Sequence, residues 1–284
     1  MQQNELNIYI KQAVGGDQNS LELVIAEVHD LIFNLSLRML GMSADAQDAT
    51  QDILVKVITS LSSFRFESRF QTWVYRIAAN YLIDYKKSMF AHHPLDFEFY
   101  ANDLRASYED DKEELMMNCS KEKAAEELKL SCTNVMLQCF DPETRCIYIL
   151  GTMFRADSKT AGEILNMTPE NYRQRLSRAR KKMGDFLAEY CGAVSTGFCR
   201  CDKRLSIAMD QHRLDPQNLE YSAFRTIDKN ILHSCMNDMN EIEDISDAFQ
   251  ELPGFCSPVS SKEFLETFLH SKQLENVKSY KENA

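Results

Sequence analysis

The sequence predicts an all-α protein. Apolar residues recur at helical spacing over long stretches of the 284 residues, for example at Val24, Ile25, Val28, Leu31 and Ile32. Such spacing places the apolar side chains on one face of a helix. Glycine and proline are few, at 9 and 6, and alternating strand-like runs are scarce. The hydrophobic share of 44% is sufficient for ordinary folded cores.

Composition excludes several classes of protein. No apolar run approaches the roughly 20 residues of a bilayer-spanning helix, and residues 1–11 lack the apolar core of a signal peptide. We therefore expect a cytoplasmic protein without membrane insertion, with its 9 cysteines reduced. The net charge of −11 argues against a general nucleic-acid coat. Positive charge is concentrated in one short stretch, between Arg173 and Lys182.

Residues 1–90 are expected to form the first helical domain. Gly41 is placed to end a long helix, and Ser43 or Asp45 can cap the next one. A loop at residues 62–68 precedes a third helix, at residues 70–87, that is rich in aromatic side chains. Asp45, Asp48 and Asp52 recur at spacings of three and four along the second helix. By itself this acidic face indicates no more than a solvated surface.

Residues 91–120 are expected to be a solvated linker, because they contain an acidic run from Glu109 to Glu114. An alternative is that this run mimics nucleic acid and shields a basic surface.

Residues 121–190 are expected to form a second helical domain that contains a helix-turn-helix. Asp141-Pro142 is placed to start a helix that continues through Phe154. Asp157 or Ser158 can cap a short helix that ends near Leu165, and Asn166 suits the turn that follows. Thr168 can then cap a long helix. A short helix, a tight turn and a longer basic helix make up the helix-turn-helix arrangement. Gly162 lies inside the short helix and is expected to weaken it.

The long basic helix has the division of faces that a recognition helix needs. It carries six cations and no anion between Tyr172 and Lys182, while Leu176, Ala179 and Met183 form an apolar stripe. Residues near the start of such a helix reach base edges, and later cations contact phosphates. The candidate base readers are Asn171, Arg173, Gln174 and Arg175, and the candidate phosphate contacts are Arg178, Lys181 and Lys182. The alternative is a solvated cationic helix end.

Residues 64–87 mix aromatic and basic side chains, which suits binding to melted DNA. Bases can stack on exposed aromatic rings while cations neutralise the phosphates of the strand. The candidate DNA contacts are Arg65, Arg69, Trp73, Tyr75, Arg76, Asn80, Lys86 and Lys87. The alternative is that Phe70, Trp73 and Ile77 are core residues at helical spacing.

Three stretches together resemble a known family. Residues 45–58 (DAQDATQDILVKVI) and 68–85 (SRFQTWVYRIAANYLIDY) are similar to region two of extracytoplasmic-function sigma factors of the sigma-70 family. Residues 168–183 (TPENYRQRLSRARKKM) resemble their region four. The order of the two regions and the linker between them also match, and the two regions cover about 160 residues.

This resemblance implies a promoter-specificity subunit of RNA polymerase without catalytic residues of its own. Asp45, Asp48, Gln51 and Asp52 would dock on the β′ clamp of core polymerase, and region four would meet the β flap. The 64–87 segment would capture and melt the promoter element upstream of the start site. The long basic helix would read the more distant element, and an anti-sigma protein is a possible further partner.

The C-terminal extension, residues 191–284, contains a cysteine cluster and is expected to be mainly helical. No cofactor is required by the family, but the C-x7-C-x-C spacing of Cys191, Cys199 and Cys201 suggests a zinc site, with His212 or Cys235 as fourth ligand. Free cysteines or a reactive thiol switch are the alternatives. We expect the segment beyond residue 201 to be regulatory and to fold back on region two or the linker.

Two other functions are alternatives to the sigma factor. A dimeric helix-turn-helix regulator acting without core polymerase would explain the basic helix and leave residues 45–85 without a role. A metal-dependent enzyme has no support, because the sequence contains no HExxH, P-loop or GxSxG motif.

Overall fold

The structure is a computed structural model that describes residues 1–89, 95–106, 119–193, 195–221, 224, 226–227 and 253–270. For residues 86–89 it describes the backbone only. The described helices pack into an all-α fold, as the sequence predicts. A bilayer crossing requires a longer and more apolar helix than any in this part of the chain.

The first bundle consists of α1 (Gln3–Val14), α2 (Gln18–Leu40), α3 (Ser43–Ser60) and α4 (Phe70–Met89), with a short 3-10 turn at Leu61–Ser63. Asp17 caps α2 by accepting a hydrogen bond from the Ser20 amide at 2.8 Å. Gly41 ends α2 at a φ of 85°, as predicted, because glycine adopts this left-handed conformation without strain.

The predicted cap of α3 is wrong. Neither Ser43 nor Asp45 caps the helix with its side chain, and Met42 occupies the N-cap position. Instead the Ser43 amide donates to the Glu220 carboxylate at 2.7 Å. A side chain from the C-terminal extension therefore satisfies the helix start, which no local pattern could reveal.

The second bundle consists of α6 (Lys121–Gln138), α7 (Pro142–Tyr148), α8 (Ser158–Leu165) and α9 (Pro169–Tyr190). The predicted helix through Phe154 is present, but Ile149–Met153 forms a π-helical turn after α7. At this turn Gly151 lies so close to α9 that an added Cβ would be 2.4 Å from Leu176 Cδ2. Arg180 of α9 donates to the Gly151 carbonyl at 3.0 Å, so the turn and the basic helix are joined.

The helix-turn-helix follows its sequence signals. Asp157 caps α8 by accepting from the amides of Lys159 and Thr160 at 2.9 and 3.0 Å. Asn166 adopts the left-handed conformation at φ 53°. Thr168 then caps α9, accepting from the Asn171 amide at 3.2 Å.

The expectation that Gly162 weakens the motif is incomplete. A Cβ at this position would lie 2.7 Å from the Met167 carbonyl oxygen, closer than real Cβ contacts allow. The turn folds back tightly on α8, so a side chain here would push the two helices apart. The close approach therefore offsets the low helix propensity of glycine.

The predicted linker contains a helix. Residues 97–106 form α5 (Phe97–Ala106), which packs on α9 through the ring of Phe186, 5.1 Å from Phe97 and 5.8 Å from Tyr100. The solvated-linker prediction is thus wrong for this segment, because Phe97 and Tyr100 are buried against α9. The acidic run at residues 109–114 lies outside the described residues.

The described part of the C-terminal extension is irregular between short elements. It contains a 3-10 turn at Cys201–Lys203, α10 (Leu205–Asp210), a two-stranded antiparallel pair of β1 (Thr226–Ile227) and β2 (Gly254–Phe255), and α11 (Ser261–Leu269). α11 and β2 pack on α2. These contacts confirm the prediction that the extension folds back on the first domain.

A buried arginine joins the two bundles. Arg145 at the start of α7 is 1% exposed, and its guanidinium donates to the carbonyls of Met39, Leu137, Gln138 and Phe140 at 2.7–3.1 Å. The Met39 carbonyl lies at the end of α2, where helix carbonyls have no intrahelical partner. Burial lowers the pKa of Arg145 to about 10, and the side chain stays charged at neutral pH.

We expect Arg145→Met to lower the free energy of unfolding by about 3 kcal/mol, because it leaves several buried carbonyls without a donor. Urea denaturation of the full chain measures the change. Arg178→Ala is the matched control, since Arg178 is exposed on α9, and its effect should stay within about 0.5 kcal/mol. Equal stability of the Arg145 variant and the wild type would contradict the assigned role.

Candidate nucleic-acid interface

The basic helix α9 presents the face that the sequence predicts. Its apolar stripe is buried, with Leu176 and Ala179 each 3% exposed and Met183 fully covered. Most of the candidate DNA contacts on this helix are exposed: Asn171, Arg173, Gln174, Arg178, Lys181 and Lys182. The cationic side chains therefore stand away from the bundle, along one side of the helix.

Two of the candidate DNA-contacting arginines of α9 have partners within the chain. Arg173 forms an ion pair with Glu170 and donates to Ser158 Oγ, both at 2.9 Å and both at the surface. Surface contacts of this kind contribute little free energy and can be exchanged for DNA contacts. Arg175 is half-buried and pairs with Glu143 of α7 at 2.9 Å, so it is directed towards the bundle more than the other candidates.

The start of α4 carries an aromatic cluster with one partly exposed edge. The ring of Trp73 lies 5.5 Å from Phe64 and 5.8 Å from Phe70, which is fully buried. The half-buried Trp73 ring thus packs in the core, as the alternative predicts, and its DNA contact stays a prediction. Beside it Phe66 is 39% exposed at a φ of 59°, with the Lys11 ammonium 5.3 Å above its ring. Phe66 was not among the predicted DNA contacts, although an aromatic residue within the 62–68 loop is a signal for an exposed ring.

The remaining candidates on α4 have different surroundings. Arg65 and Arg69 are exposed in and beside the loop. Tyr75 is only 2% exposed, and its ring lies 6.0 Å from Phe154 of the second bundle. It therefore cannot contact DNA while the two bundles are packed together, and its assignment stays a prediction. The side chains of Lys86 and Lys87 lie outside the described residues.

Arg76 and Asn80 of α4 face the helix-turn-helix. Arg76 Nε donates to the Glu163 carbonyl of α8 at 2.9 Å. Both residues line a cleft whose other wall includes Lys159, Thr168 and Asn171. Candidate DNA contacts from α4 and from the start of α9 thus share one cleft.

The acidic face of α3 lies on the surface as predicted. Asp48, Gln51 and Asp52 are exposed and Asp45 is half-buried. Tyr81 of α4 donates to Asp52 Oδ2 at 2.6 Å. Burial, followed by this hydrogen bond, raises the pKa of the Tyr81 hydroxyl. Tyr81 therefore stays protonated and keeps one end of the acidic face in a fixed position.

Comparison with known proteins gives a consistent answer. The sigma-70 region 2 family model matches residues 24–88, which cover most of α2 and all of α3 with nearly all of α4. The extracytoplasmic-function (ECF) sigma factor SigW of Bacillus subtilis (strain 168) is 28% identical over 176 residues, or 61% of this chain and 92% of that protein. The ECF sigma-E factor of Escherichia coli (strain K12) is 33% identical over 73 residues, which span 26% of this chain and 38% of that protein.

The chain therefore carries a sigma-70 region 2 segment, and it is similar to an ECF sigma factor over nearly the whole length of SigW. Among solved structures, CnrH in complex with the cytosolic domain of CnrY is 22% identical, with a TM-score of 0.45 over 63% of this chain and 95% of that one.

The cysteine cluster lies directly after the end of α9. Cys191 and Cys199 are paired in an isolated β-bridge, with the Cys199 amide donating to the Tyr190 carbonyl at 3.0 Å. Within the described chain, no three His, Cys, Asp or Glu side chains converge to hold a metal ion. Burial raises the pKa of Cys201 to about 11 and that of Cys199 in the same direction, so these thiols stay protonated at neutral pH.

The proposed fourth ligands give no further support for zinc. His212 is exposed at a φ of 55°, and its amide donates to the Met209 carbonyl at 3.0 Å. Cys235 lies outside the described residues. Binding of zinc would require the thiols to lose their protons and to turn towards one point. The zinc site therefore stays a prediction.

Metal content tests that prediction directly. If Cys191, Cys199 and Cys201 bind zinc, the purified protein should contain about one zinc per chain, and a Cys199→Ser, Cys201→Ser variant should lose it. Elemental analysis of both proteins after gel filtration is the measurement, with Cys119→Ser as the control. Less than about 0.2 zinc per chain in the wild type would exclude the site.

Proposed function

We propose that this sigma factor binds core RNA polymerase through α3, melts promoter DNA with the 64–87 segment and reads a second promoter element with α9. The observation that carries the proposal is the face of α9, whose cations are exposed while its apolar stripe is buried behind a capped turn. A helix with this division fits the major groove, which admits an α-helix and displays base-specific patterns.

The acidic face of α3 supports the binding of core polymerase. Asp48, Gln51 and Asp52 lie on one exposed side of a helix within the segment that matches the region 2 family model. A row of carboxylates complements a basic docking surface, which the β′ clamp would provide. The β flap as the contact of the second bundle and an anti-sigma partner are further parts of this proposal. The cytoplasm would be the place of action, because core polymerase is there.

Transcription with bacterial core polymerase tests the proposal as a whole. Core enzyme alone and core enzyme with the full chain would be given a library of promoter fragments, and the run-off products compared. New promoter-dependent transcripts together with tight core binding are expected. If the chain binds DNA but not the core enzyme, it acts as a regulator independent of polymerase.

We expect Asp48→Ala to weaken the binding of core polymerase about tenfold, because the carboxylate is exposed within the proposed docking face. The dissociation constant can be measured by titrating labelled sigma factor with core enzyme. Glu5→Ala on α1 is the matched control, since it removes an exposed carboxylate from a different helix. Equal weakening by both variants would indicate a general charge effect and contradict a specific role for α3.

We expect Arg178→Ala to lower the affinity of the holoenzyme for all promoters to a similar degree. If Arg178 contacts a phosphate, its removal should also reduce the slope of log affinity against log salt by about one. Filter binding across a series of salt concentrations gives this slope. Lys123→Ala, an exposed cation on α6, should leave the slope unchanged. A slope unaffected by the Arg178 change would remove this residue from the interface.

A further inference from the structure

Two pieces of the C-terminal extension lie at the seam, by which we mean the contact between the first bundle (α1–α4) and the second bundle (α6–α9). In the first piece, the Tyr221 hydroxyl donates to the Gly41 carbonyl at 3.1 Å and accepts from Asn134 of α6 at 2.8 Å. The Tyr221 amide donates to the Glu127 carboxylate at 2.7 Å. One residue of the extension therefore joins the α2–α3 turn to α6.

The second piece runs along α2 and is bound by a ladder of polar side chains. Asn34 donates to the Phe255 carbonyl at 2.7 Å and accepts from the Phe255 amide at 2.9 Å, as a neighbouring strand would. Asp30, one turn earlier, accepts from the Ser257 amide at 2.9 Å. Arg38, one turn later, donates to the Pro253 carbonyl at 2.8 Å. These α2 side chains therefore bind the extended segment through its backbone amides and carbonyls.

The two pieces meet in a small hydrophobic cluster separate from the main core. The cluster contains Phe33 and Leu37 of α2, Ala46 of α3, Tyr221 and Phe255, with Leu130 of α6 and Phe224 packed against it. The rings of Phe224 and Phe255 are 5.3 Å apart, and β1 pairs with β2 beside them. Because both bundles and the extension contribute side chains, the cluster exists only while all three are together.

Arg38 lies between this docked segment and Phe154, which packs against α4. Its guanidinium lies 5.8 Å from the ring of Phe154, and the Phe154 ring lies 6.0 Å from that of Tyr75 on α4. Arg38 is 4% exposed, and its Nε has no hydrogen-bond partner within the described residues. Burial lowers its pKa to about 10. A buried guanidinium that is incompletely satisfied makes the docked state less stable than a continuous apolar core.

We propose that residues 220–221, Phe224 and residues 253–269 form an intramolecular strap that holds the second bundle, with its helix-turn-helix, on the first bundle and restrains promoter binding. This regulation rests on the proposed function, because it acts on the surfaces assigned to DNA. In the strapped arrangement Arg76 is bound to α8 and Tyr75 is buried at the seam. DNA can reach Tyr75 only when the bundles separate, and the exposed Arg76 is released from α8 by the same separation. Release of the strap therefore shifts the population towards the binding-competent state.

Phe255→Ala in the full chain tests the strap from the side of the extension, without changing the helices of either bundle. Hydrogen exchange should become about fivefold faster in the peptides that cover residues 70–85 and 158–171, because the seam opens more often. Affinity for a mixed-sequence DNA duplex, measured by fluorescence anisotropy, should rise about fivefold for the same reason. Phe99→Ala is the matched control, since Phe99 is 64% exposed on α5 and outside the strap.

Glu220→Ala provides a second variant in case Phe255→Ala does not fold, because Glu220 is itself exposed and its carboxylate accepts from the Ser43 amide. Its control is Glu266→Ala on α11, an exposed glutamate. Faster exchange at residues 253–270 with unchanged exchange at residues 70–85 and 158–171 would overturn the strap. Failure of the sigma function would be seen separately, as an absence of core binding in the wild type and all variants alike.

Discussion

The arrangement of the two bundles depends on one buried guanidinium. Arg145 donates to carbonyls at the end of α2, at the end of α6 and in the turn that leads to α7. Carbonyls at helix ends have no partner within their own helices, and buried ones require a donor from elsewhere. By satisfying several of them at once, Arg145 fixes the second bundle on the first, and the position of the helix-turn-helix relative to α4 follows from it.

That position determines how the proposed DNA-binding surfaces are exposed. The cations of α9 beyond its first turns are free of the first bundle, whereas Arg76 and Asn80 of α4 line a cleft with the start of α9. The molecule therefore presents the α9 surface for duplex DNA, while the α4 surface lies in a cleft beside the helix-turn-helix. The C-terminal extension lies along the contact between the two bundles, where hydrogen bonds to its backbone and a small hydrophobic cluster hold it.

Local signals accounted for the helix-turn-helix. Asp157, Asn166 and Thr168 were predicted as cap, turn and cap, and each has the expected conformation or hydrogen bond. These features depend on residues within four positions of one another, so the sequence contains all the information needed. The burial of Leu176 and Met183 was predicted for a similar reason, because their spacing alone places them on one face.

The sequence by itself thus determined the helical class, the family and the polar face of α9. Only the tertiary structure decided that Tyr75 is buried, that residues 97–106 form a helix on α9, and that Glu220 rather than a local side chain meets the start of α3. Each of these depends on a partner far away in the chain. A local pattern encodes the spacing of side chains along a helix, whereas the identity of the surface that covers them is set by packing between distant segments.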